Sequence, residues 1–309
     1  MSNAQEPSAT REPPRVAAYA EELVDATTED GLPLDGAVIR PVAGQRRPLA
    51  VVWVHGGGGR FNAPTTLMVG RRLAGRGYTV VSGNNRGTQL AVRLGPTLAG
   101  AWFERFTESP RDVAAWVDRT AGLGFECVAL VGHSYGAWKA VYYQAERQDP
   151  RVIGVVCSNP GPVWLYQRAR QRREGPVEPP WAVGEGELAD LARRMVAEGR
   201  GGELLPWGSM GSFFTFSART FLDRFDPAID VFGLATSDPP AGRLRCSVLV
   251  LNGGADPIAP RGADLEAVRR SFRSARQVQF VEVEGADHGY TGREEAAVQV
   301  IGDWLDRLG

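Results

Sequence analysis

Apolar, β-branched runs that stop at glycine recur along this chain, and stretches with helical spacing separate them. Leu49 to Val54 ends in His55-Gly56-Gly57-Gly58-Gly59, and Val128 to Val131 ends in Gly132-His133-Ser134-Tyr135-Gly136. Val248 to Leu251 ends in Asn252-Gly253-Gly254-Ala255-Asp256, and Val278 to Val283 leads to Gly285-Ala286-Asp287-His288-Gly289. A run that is continuously apolar, rather than alternating, reads as a strand buried on both faces, which is the signature of parallel sheet. Thr79 to Ser82, before Asn84-Asn85-Arg86-Gly87, and Val152 to Cys157 supply two more such strands. Helices are expected over 64–74, from Ser109-Pro110-Arg111-Asp112 onward, from Ala137 onward and over 263–272. In the second of these Ser109 is the expected N-cap, ahead of Val113, Trp116 and Val117. The last helix is expected to open at Thr291, with Glu294 completing a capping box and Ala297, Ile301, Trp304, Leu305 and Leu308 turned inward. Strands alternating with helices give an α/β fold: a mostly parallel central sheet with helices on both faces.

The 309 residues suffice for one large domain carrying an insertion. Residues 1–20 are largely polar and proline-containing and read as a disordered segment; Ser2-Asn3-Ala4 resembles the scar of an expression tag. Around Glu29-Asp30-Gly31 two short segments, 23–28 and 33–39, read as an opening hairpin. The core domain is assigned to 21–159 and 244–309. Between them, 160–243 holds no clean strand. It carries Arg168, Arg170, Arg172 and Arg173, read as a solvated face, then Pro179-Pro180-Trp181, a helix with Leu188, Leu191, Ala192 and Met195, and the aromatic run Phe213-Phe214-Thr215-Phe216. A structureless loop of that length is foreign to a compact domain, so the segment reads as an inserted, mainly helical cap.

A formal net charge of −1 leaves no electrostatic footprint for nucleic acid. No segment is long and apolar enough for a membrane span, and no signal-peptide core opens the chain. Cys127, Cys157 and Cys246 are odd in number and lie in or beside apolar runs, so they read as buried thiols suited to a cytoplasmic protein. Neither a metal nor a cofactor is expected, and the oligomeric state is left open.

The chemistry resides in the glycine-bearing turns. Gly132-His133-Ser134-Tyr135-Gly136 fits G-x-S-x-G, a sharp strand-to-helix turn that needs small residues two positions either side of the serine. A serine hydroxyl needs a base, and only three histidines exist. His55 opens the glycine run and His133 belongs to the turn itself, which leaves His288, in a loop at the carboxyl end of the sheet. A carboxylate must orient that histidine. Asp256 is preferred to Asp287, because adjacent loop side chains seldom make the required bond. Oxyanion donors are expected at the N–H of Tyr135 and in the glycine run, with Gly57 ahead of Gly58. The glycine run is not a phosphate loop, since no Lys-Ser/Thr follows it.

These three motifs, in the order serine, aspartate, histidine, resemble the α/β-hydrolase superfamily over roughly Glu21 to Gly309. Asn84-Asn85-Arg86-Gly87 is similar to some capped bacterial and fungal esterase-like members. The resemblance implies a serine esterase: Ser134 as nucleophile, His288 as base and Asp256 as its orienting acid, acting on an ester or lactone. Ser134 argues against the members with an aspartate nucleophile. Acyl transfer, cyclisation or C–C bond hydrolysis by the same triad, and a catalytically silent binding protein on this fold, stand as alternatives. The expected partner is a small molecule with an apolar or aromatic acyl part, met by His55, Trp164, Trp207, Phe213 and Phe214.

Overall fold

The structure is a computed structural model that describes residues 19–42, 46–161, 166, 185–206 and 215–308. Its centre is an eight-stranded sheet in the order β1-β2-β4-β3-β7-β8-β9-β10. The strands are β1 (Tyr19–Thr27), β2 (Pro33–Pro41), β3 (Leu49–Val54), β4 (Thr79–Gly83), β7 (Cys127–His133), β8 (Val152–Ser158), β9 (Ser247–Gly253) and β10 (Gln277–Val283). From β4 across to β10 every neighbouring pair is parallel. The hairpin β1–β2 and the junction of β2 with β4 are antiparallel. Since β1 begins at Tyr19, the first two residues of the hairpin fall inside the segment expected to be disordered. A small antiparallel ribbon, β5 (Val92–Leu94) with β6 (Thr97–Ala99), had no sequence counterpart.

The helices are α1 (Pro64–Gly75), α2 (Ser109–Gly122), α3 (Tyr135–Arg147), α4 (Glu185–Ala197), α5 (Ala218–Asp223), α6 (Ala263–Ser271) and α7 (Glu294–Leu305). Alternate residues of each central strand feed two separate cores. Val52, Val54, Leu130, Val155, Val248 and Val250 pack on one face with Val113, Trp116, Ala137 and Val141 of α2 and α3. Val51, Trp53, Val131, Val156, Leu249 and Leu251 pack on the other with Val69 and Leu73 of α1 and Ile301 and Trp304 of α7. This period of two, with apolar residues at both phases, is why the runs read as continuous.

Two expected caps take other forms. Ser109 is already inside α2, which follows a 3-10 turn at Phe106–Glu108, and its hydroxyl is buried. The helix α7 starts at Glu294 behind Arg293 with no side-chain cap, so Thr291 and Glu294 form no capping box. Both differences arise because tight turns precede the helices and set their first residues by backbone bonds, such as Arg293 N–H to Tyr290 O at 2.8 Å.

Within 160–243, α4 and α5 share a small cluster of their own with Ala189, Ala192, Met195, Leu205, Ala218 and Phe221. From Ile229 onward the chain packs into the main core instead, through Ile229, Val231, Phe232 and Ala241. The cluster of α4 and α5 thus does not include Ile229, Val231, Phe232 or Ala241. Tyr166 also belongs to the main core, edge-on to Trp138 at 6.2 Å. The arginines at 168–173 and Trp181 lie outside the described residues. All three cysteines are free, Cys157 and Cys246 being buried. Among the described residues no helix is long and apolar enough to cross a membrane.

Candidate active site

Ser134 sits between β7 and α3 with φ 56° and ψ −125°, a conformation that residues with a side chain rarely adopt. Close packing imposes it. A Cβ at Gly132 would lie 2.4 Å from the Gly136 carbonyl oxygen, and one at Gly136 would lie 2.1 Å from that of Val54. The turn is tied to the end of β8 by the Ser134 N–H, which donates to Ser158 O at 2.9 Å.

His288 stands in the loop after β10, and its Nδ1 is 2.7 Å from Oδ2 of Asp256, in the loop after β9. Asp256 is wholly buried, and its other oxygen accepts the Ile258 N–H at 2.9 Å. With Nδ1–H directed at the carboxylate, Nε2 is the basic nitrogen. Asn159 braces this loop. Its Nδ2 donates to the His288 carbonyl at 2.9 Å, while its Oδ1 accepts the Gly253 N–H at 2.6 Å. His133 adds a second brace, with Nε2 2.8 Å from the same carbonyl and its ring 4.9 Å from that of His288. Burial, with the nearby His288, pulls the His133 ring down to about 4, so it stays neutral at ordinary pH. Asp287 is exposed and spends Oδ1 on the N–H groups of Gly289 and Thr291, at 3.0 and 2.8 Å. Those bonds hold its carboxyl below the usual range and fold the loop.

The glycine run lies against the serine: a Cβ at Gly56 would come within 2.8 Å of Ser134 Cβ. Gly57 shares a cavity with Ser134 and Tyr135, and its N–H makes no backbone bond among the described residues. Gly58 differs from expectation. Its N–H donates to Gly87 O at 3.0 Å, so it is unavailable as a donor to substrate. His55 also departs from its expected contact with substrate. It is buried, with Nδ1–H on Gly56 O at 2.8 Å and Nε2 accepting the Asn85 N–H at 3.1 Å. Burial and the nearby Lys139 ammonium pull it down to about 3, and it serves the loop.

The cavity beside Ser134 has a volume of about 180 Å³, with Phe106, Phe216, Ile229 and Ile258 among its apolar walls. Trp164, Trp207, Phe213 and Phe214 lie outside the described residues. Glu104 reaches the same cavity and pairs with the fully buried Lys139. Burial raises the Glu104 carboxyl, and Lys139 opposes the rise. Behind it Arg86 and the buried Asp112 pair at 2.9 Å. Sequence reasoning missed Asn159, Lys139 and Glu104. The available hint was a lysine on the otherwise apolar flank of α3, between Ala137 and Val141.

A model of the alpha/beta hydrolase family matches residues 51–300. The chain belongs to that family. Among curated relatives of this alpha/beta hydrolase, Phospholipase YtpA of Bacillus subtilis (strain 168) is 27% identical over 114 residues, which is 37% of this chain and 41% of that protein. The match thus spans about two-fifths of the relative's length. Est1E from Butyrivibrio proteoclasticus, solved with ferulic acid bound, superposes with a TM-score of 0.61 at 14% identity, covering 92% of this chain and 98% of that one. The siderophore hydrolase EstB from Aspergillus fumigatus does so with a TM-score of 0.65 at 17% identity, covering 91% and 98%. At such identities the likeness is one of fold.

Proposed function

We propose that this alpha/beta hydrolase cleaves a carboxylic ester or lactone through an acyl-enzyme on Ser134. The observation that carries the reading is the 2.7 Å bond from His288 Nδ1 to the buried Asp256, on the loops that follow the two strands beyond β8. In the proposed reaction Ser134 Oγ attacks the acyl carbon and its proton passes to His288 Nε2. The alkoxide leaves with that proton, and a water deprotonated by the same nitrogen then releases the acid. Asp256 stabilises the imidazolium without taking the proton. The N–H groups of Tyr135 and Gly57 hold the oxyanion.

The apolar walls formed by Phe106, Phe216, Ile229 and Ile258 support an apolar or aromatic acyl group. The separate cluster of α4 and α5 supports a cap over the site, narrower than 160–243. The activities for which similar proteins are named, phospholipase and siderophore hydrolase, are in keeping with ester hydrolysis. The test is labelling by a fluorophosphonate together with turnover of p-nitrophenyl esters. Wild type should label and turn over, and Ser134→Ala should lose labelling and on the order of 10⁴ in kcat with its Tm retained. Near-normal turnover by a folded Ser134→Ala would end the serine mechanism.

A further inference from the structure

The two proposed oxyanion donors belong to different elements. Tyr135 opens α3, whereas Gly57 lies in the loop after β3. Their separation must hold to about 0.5 Å for both N–H groups to meet one oxygen. Lys139 is four residues beyond Tyr135 and therefore on the same side of α3. Its Nζ lies 5.1 Å from the centre of the Tyr135 ring. From there it donates to Asn85 Oδ1 at 2.9 Å and pairs with Glu104. Asn85 completes the connection. Its N–H donates to His55 Nε2 at 3.1 Å, its Nδ2 to the His55 carbonyl at 3.2 Å, and its Oδ1 also accepts the Gly87 N–H at 3.0 Å. Gly87 in turn accepts from Gly58 at 3.0 Å, and Gly59 O accepts from Gln89 N–H at 3.1 Å. His55, Gly58 and Gly59, on either side of Gly57, are thereby held by the 85–89 segment, while Gly57 itself lines the cavity.

We infer that Lys139 and Asn85 form a buried strut that fixes the glycine loop to the helix of the nucleophile, making both of them positioning residues for the oxyanion hole. The inference rests on the Ser134 reading above. A buried ammonium in a helix is costly unless it is paired, and packed apolar residues in place of the whole Lys139–Glu104 pair would fold at least as well. The polar strut joins two elements whose relative position matters only when charge develops on the substrate oxygen.

The test uses the full chain with Asn85→Ala, Lys139→Met, the pair combined, and Lys139→Met with Glu104→Gln, which removes both charges should the lone methionine prevent folding. Turnover of a small p-nitrophenyl ester, KM and Tm are measured for each. The strut predicts a loss in kcat on the order of 10- to 100-fold with KM within about 2-fold, since a donor acting on the transition state is lost and ground-state binding is not. It also predicts that the Asn85→Ala/Lys139→Met pair costs no more than the worse single variant, because the two act as one unit. Folded variants with wild-type kcat, or losses that multiply, would overturn it. Ser134→Ala, run alongside, separates this failure from failure of the serine mechanism: only the latter leaves that variant active.

Discussion

Two aspartates stand close to His288, one beside it in sequence and one 32 residues away, and only the distant one has an oxygen on the ring. The adjacent one is committed to the loop, accepting from Gly289 and Thr291. Asp256→Asn is therefore expected to cost on the order of 10³ to 10⁴ in kcat, by leaving the imidazole with the wrong tautomer and no counter-charge. Asp287→Asn should cost less than about 10-fold, through a looser loop. Steady-state kinetics on both purified variants decides the matter, and the opposite ranking would identify Asp287 as the orienting acid. These residues were legible because each sits in a short motif at a strand end, where chain order alone puts them on one edge. Asn159, Asn85 and Lys139 were not. Their partners lie 94, 30 and 54 residues away, and even the lone lysine on the apolar flank of α3 does not announce which residue it meets.

Strands were the most legible elements, since a run apolar at every position leaves little choice but the middle of a covered sheet. Helix beginnings were less so, because Ser109 and Thr291 carry the chemistry of a cap while the turns ahead of them decide where the helix starts. The ribbon β5–β6 escaped notice because its strands are only three residues long. In the segment 160–243, read from sequence as an insertion, Ile229, Val231 and Phe232 join the main core, and no local pattern marks where that packing begins. One of the segment's aromatics, Phe216, packs against the cluster of α4 and α5 and also lines the cavity at Ser134. Phe216→Ala should therefore alter selectivity among esters. Loss of a half-buried ring removes up to ~1.5–3 kcal/mol of apolar contact, enough to lower kcat/KM for a bulky acyl group about 10-fold. Acetate esters should change little. A panel of p-nitrophenyl esters of rising acyl size, read with Tm, tests this; an unchanged size profile in a folded variant would remove Phe216 from the acyl wall.

Across the whole molecule the two cores are apolar, but a line of buried titratable groups runs beside the first of them, from Arg86 and Asp112 through Glu104 and Lys139 to His55. It makes stability depend on pH in a direction that can be worked out. The His55 ring takes a proton near 6.5 when the chain is unfolded and only near about 3 when folded. Between those values the unfolded chain binds more protons, so stability falls as pH drops through the window. His133 acts in the same sense down to about 4. Glu104 and Asp112 act oppositely: burial raises their carboxyls, so protonation of these two favours the folded chain as pH falls. The histidine contribution is isolated by comparing slopes rather than absolute stabilities. His55→Gln lowers stability at pH 7.5, because bonds to Gly56 and Asn85 are lost. It should nevertheless lose less further stability than wild type between pH 7 and 4.5. Urea unfolding at half-unit intervals measures both slopes. Parallel curves for the two proteins would mean that His55 takes its proton in the folded chain as readily as in the unfolded one, and that its burial does not set the acid limit of this fold.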